Sequence, residues 1–302
     1  MDGPEFRDRT PRHSRSRATW RIVRGLATAA LVAGAAFLAA GVMYGDPRFA
    51  GLFEVSRGAS PGTAMAGHPG QPASAEAVRT DTPPAGLEEQ GEPLGRPQKP
   101  AVASSSYKFL AVNDDGTPVG YSPCRPLHYV VNAALAPNGA ERLVEDAIRT
   151  VSRATGIKFV DDGPTTEAPS QSRIPYQQAA YGERWAPLLI AWTTPDQAPQ
   201  LAGPVIGTGG STHFSFGDGP RSFVTGSLEL DAPQIAEDLG RPDGAAYATA
   251  VILHELGHVM GLEHVDDPAQ LMYPEIGAPD GLAAGDLNGL YELGKAPCRK
   301  DL

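Results

Sequence analysis

The most constraining feature of this chain is an eleven-residue segment, HELGHVMGLEH, at residues 254–264. His254 and His258 are four apart, so on a helix they stand one turn apart on the same face. Two neutral imidazoles placed that way can share one Zn²⁺ at about 2.0–2.1 Å each. Glu255 adjoins the first of them, where its carboxylate can reach a metal-bound water without occupying the metal. That is the placement a general base needs. Gly261 can take a positive φ, ending the helix and turning the chain back, so that His264 arrives as a third nitrogen ligand. The fourth position is then left for water. Three of the chain's seven histidines fall in this one segment.

Charge divides the 302 residues into unlike parts. Residues 1–24 hold seven arginines against three acids, residues 25–106 hold five basic and seven acidic groups, and residues 107–302 hold thirteen basic and twenty-five acidic groups. The large acidic block excludes a uniformly basic nucleic-acid binder, because most of its surface would repel phosphate, and no nucleic-acid partner is expected. Residues 25–44 carry no charge. As a helix they would span about 30 Å, the thickness of a bilayer core. The preceding arginines put the N-terminus in the cytoplasm and the rest outside. A transmembrane signal-anchor is expected, with a cleaved signal peptide and secretion as the alternative. Residues 45–106 are expected to be a disordered linker, acting as a tether or a pro-segment. From residue 54 to 106 there is no Phe, Tyr or Trp, and prolines interrupt a Gly/Ala/Ser/Glu background that cannot bury enough apolar area to offset its ordering entropy.

The folded domain is expected over residues 107–302, long enough for one real core. Residues 107–112, 127–131, 157–160 and 188–192 read as strands, and 223–230 as a half-buried strand with Val224, Leu228 and Leu230 on one face. Residues 138–155 read as an amphipathic helix stopped by Gly156, and helical sequence returns at 245–262 and 286–293. Between residues 160 and 188 lies a long polar loop carrying Tyr176, Tyr181 and Trp185. The order of elements suggests an α/β (α+β) sandwich, a sheet backed by helices.

The HELGHVMGLEH segment resembles the metzincin metallopeptidases, and within them the matrixins. The Leu271-Met272-Tyr273-Pro274 segment is similar to the matrixin Met-turn, and GDLNGLYELG to the C-terminal helix of that family. The resemblance implies a twisted mixed sheet backed by helices, an active-site helix and a small C-terminal subdomain. It implies zinc on His254, His258 and His264, Met272 as a hydrophobic floor beneath the metal, and Asp286 propping the Met-turn by hydrogen bonds. The activity it implies is zinc-dependent endopeptidase on protein or peptide substrates. The alternative is a surface-anchored binding protein with a vestigial site.

Several positions depart from the family pattern. Gly285 stands where matrixins have another Asp, Val265 where they usually have Ser, and Ile276 where they have Tyr. His213 matches one ligand of the family's structural zinc, but Glu229 occupies the place of another histidine. The Asp pairs 161/162 and 266/267 are candidates for Ca²⁺, and Glu275 would serve only if the chain were a gluzincin. Cys124 and Cys298 are the only cysteines. Export to an oxidising space favours a disulfide between them, with a zinc-binding thiolate at Cys124 as the competing reading.

Overall fold

The computed structural model describes residues 81–275 and 281–302. The expected segments 1–24 and 25–44, and the tether as far as residue 80, lie outside the described residues. Among the described residues no helix is long and apolar enough to cross a membrane.

The elements follow in the order β1 (Lys108–Phe109), β2 (Leu127–Asn132), α1 (Ala140–Thr155), β3 (Phe159–Pro164), the single turn α2 (Gln178–Tyr181), and β4 (Leu188–Thr193). After them come β5 (Gly207–Phe214), β6 (Ser222–Asp231), α3 (Ala232–Asp238), α4 (Gly244–Met260), β7 (Leu262–Glu263) and α5 (Ala284–Leu293). Five strands form one mixed sheet in the order β3-β2-β4-β6-β5. The first four run parallel, and β5 closes the edge antiparallel to β6. β1 and β7 make a separate antiparallel pair, so the expected strand at residues 107–112 is much shorter and lies off the main sheet.

Helices α1 and α4 pack together on one face of this sheet, and α5 packs against both. In α1 the stripe Val144, Ala147, Ile148 and Val151 is buried, at the i, i+3, i+4, i+7 spacing of a core-facing helix. It meets Ile190 and Trp192 of β4, Leu228 and Leu230 of β6, and Ile252, Leu256 and Val259 of α4 in one continuous core. The opposite face is covered as well. Val130, Leu189 and Ala191 form a second cluster against Tyr181. Arg173 fixes the long polar loop there, ion-paired to Glu167 at 2.7 Å and donating to Thr225 Oγ1 at 2.9 Å and to the Pro187 carbonyl at 2.8 Å. For that reason β6 is buried along both faces, with only Ser227 partly exposed, rather than half-buried as its alternation suggested.

The linker expectation is corrected at its C-terminal end, because residues 81–106 lie ordered across the domain. The Gln90 N–H donates to the Cys124 carbonyl at 2.7 Å, Leu94 N–H to Pro123 at 2.9 Å, and Gln98 N–H to Arg153 at 3.0 Å. Asn288 Nδ2 reaches the Val102 carbonyl at 2.8 Å. A segment without aromatic anchors is thus held largely by backbone hydrogen bonds, and these offset its ordering entropy one at a time.

His128 is part of this attachment. It lies 3.4 Å from Glu88 in this strap of residues 81–106 and 2.8 Å from Asp162 on β3, and Arg184 also reaches Asp162 at 2.7 Å. The Glu88 carboxylate beside its Nε2 raises the His128 pKa most, Asp162 adds to it, and partial burial opposes both. A histidine with a raised folded-state pKa lends stability that is complete below its unfolded value of about 6.5 and is lost as pH rises through the folded value. The His128→Gln protein should therefore melt below wild type in acid, with the gap closing in alkali. Thermal midpoints measured across that range check it, and a gap constant with pH would remove the titrating clasp.

Candidate active site

Helix α4 is apolar almost all round, because its second half is enclosed by the sheet, α1 and α5. Every residue from 250 to 260 is buried. Gly261 ends it with φ 115°, a left-handed conformation that side-chain-bearing residues resist, and its N–H closes onto the Gly257 and His258 carbonyls. The chain then enters β7, where Glu263 pairs with Lys108 of β1, and that pairing fixes the approach of His264.

The three histidines meet. His264 Nε2 lies 3.1 Å from His254 Nε2 and 3.1 Å from His258 Nε2. On the far side of each helical ring, Nδ1 donates to a carbonyl: His254 to Leu271 at 2.7 Å and His258 to Leu262 at 2.8 Å. These bonds set the tautomer and leave Nε2 unprotonated. Two such acceptors face the Nε2 of the third ring, and a cation is what a group of three converging imidazole nitrogens fits. Burial works in the same direction, lowering the His254 pKa to about 4 and depressing His258 and His264. All three rings are held in the neutral form that ligates metal.

Glu255 is 8% exposed and stands one residue from the first histidine. Burial pushes its carboxyl up to about 8, opposed by a hydrogen bond from the Gly209 N–H of β5. A dication held by the histidines would draw that value back down. Beneath the helix, Met272 Sδ packs so closely on Gly257 that a Cβ there would lie 2.5 Å from the sulfur. Asp286 is 1% exposed and accepts from the N–H groups of Leu271, Met272 and Ala283 at 2.8, 3.2 and 2.7 Å. It thus holds both the turn containing Met272 and the carbonyl that orients His254. The position where the family pattern has a further acid, Gly285, faces the Ser106 carbonyl, 2.1 Å from where a Cβ would sit. The ordered strap fills the space an acidic side chain would need.

The structure joins Cys124 to Cys298 in a disulfide, with Cα atoms 5.3 Å apart, so the thiolate alternative at Cys124 is set aside. The other candidates are not gathered at a centre. Among the described residues, the only cluster of possible ligands besides the three histidines is Glu89 with the two bonded cysteines. Asp162 pairs with His128 and Arg184, Asp266 with Lys108, and Asp267 accepts from Ala269 and Gln270. His213 lies on β5 away from such a group, Glu275 is exposed, and Ile276 lies outside the described residues. What sequence reasoning missed is the strand beside Glu255. The pattern Gly207-Thr208-Gly209 puts two glycines on one face, a sign of close backbone approach.

Set beside known proteins, the chain matches the matrixin peptidase family over residues 127–293, more than half its length. It is similar to matrilysin of Felis catus, 37% identical over 94 residues, covering 30% of this chain and 34% of that protein. It is also similar to macrophage metalloelastase of Oryctolagus cuniculus, 33% identical over 95 residues, covering 30% of this chain and 19% of that protein. The matches thus span about a third or less of these curated relatives. Among solved structures, archaemetzincin from Methanopyrus kandleri aligns with 56% of this chain and 95% of its own, at 16% identity and a TM-score of 0.36. With the family matched across the sheet, the histidine helix and α5 alike, the chain belongs to the matrixin family of peptidases.

Proposed function

We propose that this chain is an extracytoplasmic zinc-dependent endopeptidase with Glu255 as its general base. The observation that carries the reading is the convergence of three histidine Nε2 atoms, those of His254 and His258 each 3.1 Å from that of His264, with a buried carboxylate one residue from His254 on the same helix. His254, His258 and His264 would hold Zn²⁺. Bound there, the ion supplies Lewis acidity, polarising a scissile carbonyl and acidifying a water molecule. Glu255 takes the proton from the attacking water and passes it to the leaving amine. Strand β5 ends the sheet directly above Glu255. Its outer edge offers backbone N–H and C=O groups to an extended peptide, which suits a protein or peptide substrate.

The location outside the cytoplasm draws on the arginine-flanked uncharged residues 25–44 and on the disulfide, which persists in oxidising compartments. The same residues would anchor the chain in the membrane. Dialysis of the full chain against a chelator is expected to abolish casein cleavage, and one equivalent of Zn²⁺ should restore it. Cleavage that survives complete metal removal would refute the reading. A protein that binds zinc and cleaves nothing in a broad peptide library would favour the vestigial site instead.

A further inference from the structure

We propose that Gly207 is a positioning residue for the Glu255 carboxylate, supplying by its lack of a side chain the space that carboxylate occupies between α4 and β5. The inference rests on Glu255 being the base. Gly207 and Gly209 both face α4, but they meet different atoms of Glu255. A Cβ on Gly209 would lie 2.2 Å from the Glu255 carbonyl oxygen, so Gly209 sets the distance between strand and helix backbone. The nearest atoms to a Cβ on Gly207 all belong to the Glu255 side chain, at 2.8 Å for Cγ and 3.3 Å for both Cδ and Oε1.

Backbone conformation does not demand glycine at 207, since its φ lies outside the left-handed region and alanine could adopt the same strand geometry. Nor can the strand retreat easily from an added methyl. Gly207 is paired with Leu230 of β6, and the preceding Ile206 carbonyl accepts the Asp231 N–H at 2.8 Å. Asp231 in turn caps α3 through the Gln234 N–H at 3.1 Å. On the other side α4 is buried in the core. With both backbones held, the group that must yield is the Glu255 side chain, and moving it costs the hydrogen bond from the Gly209 N–H. Gly207 therefore acts through Glu255, without itself touching substrate.

The test compares wild type, Gly207→Ala, Glu255→Ala and the double variant by zinc content, thermal midpoint and, where active, kcat and KM. Gly207→Ala should keep one zinc and hold KM within about twofold. Its kcat should fall by about 100-fold, as expected for a reacting group displaced by about 1 Å. In the wild-type background the added methyl should lower the midpoint by about 5 °C, the cost of modest overpacking. With the Glu255 side chain removed, it should lower it by little or nothing. An unchanged kcat, or an equal midpoint loss in both backgrounds, would overturn the proposal. If Gly207→Ala alone does not fold, a folded double variant supports the proposal and an unfolded one overturns it. A wild-type chain with zinc but no peptide cleavage would refute the proposed activity, and the midpoint comparison would still decide whether Gly207 makes room for Glu255.

Discussion

Glu255→Ala is expected to lower peptide cleavage by up to about 10⁴-fold, the upper range for a positioned general acid–base group, while the protein keeps its full zinc content. The two halves of that result separate because the metal and the proton depend on different atoms. Zinc would be held by the Nε2 atoms of His254, His258 and His264, and two of those rings are oriented by the Leu271 and Leu262 carbonyls. None of these contacts passes through the Glu255 side chain. Its own partner is the Gly209 N–H on β5. On the proposed role, removing the carboxylate would therefore deprive the attacking water of its proton acceptor and leave the histidine contacts in place. His258→Ala should behave differently, losing metal and activity together. Glu255→Ala protein that retained zinc and cleaved casein at the wild-type rate would sink the assignment of the base.

The parts of this site that could be read from sequence are those whose chemistry is local. Four-residue spacing on a helix was enough to bring His254 and His258 to one face, and Gly261 sits at the turn that returns His264. The stripe on α1 was legible for the same reason, since its apolar positions repeat within one element. Strand β5 was not legible. GTGGSTHF carries almost no apolar alternation, and its glycines are buried because α4 lies against them. Strand β3 begins two residues later and ends four residues later than expected, because at the far edge of the sheet it carries the half-buried pair Phe159 and Val160 followed by exposed Asp161 and Asp162. The strap was the largest miss. Many of its attachments are backbone hydrogen bonds, among them those to Pro123, Cys124 and Arg153, and side-chain composition says nothing of those.

The second large effect should come from the clasp beneath that strap. Cys124 and Cys298 are 174 residues apart, and the loop they close contains the whole sheet, α4 and all three histidines. In the chain-entropy account, closing a loop of that length is worth about 5 kcal/mol, so the Cys124→Ala/Cys298→Ala protein should melt about 10–20 °C below the oxidised wild type. The local packing adds to that cost. Cys124 is fully buried, its carbonyl accepts the Gln90 N–H at 2.7 Å, and the Arg299 N–H beside Cys298 donates to Glu89 at 2.6 Å. Loosening the clasp should therefore free the strap before the core opens, so proteolysis within residues 81–106 should accelerate at temperatures where the sheet remains folded. At such temperatures zinc should stay bound, because the groups that orient the histidines belong to α4, β7 and the turn at Leu271 rather than to the disulfide. Equal midpoints for the oxidised and cysteine-free proteins would remove the clasp from the stability of the fold. Thiol trapping of the protein as it leaves cells bears on location as well: a disulfide of this kind needs an oxidising compartment, and two free thiols in the cell-derived chain would contradict export.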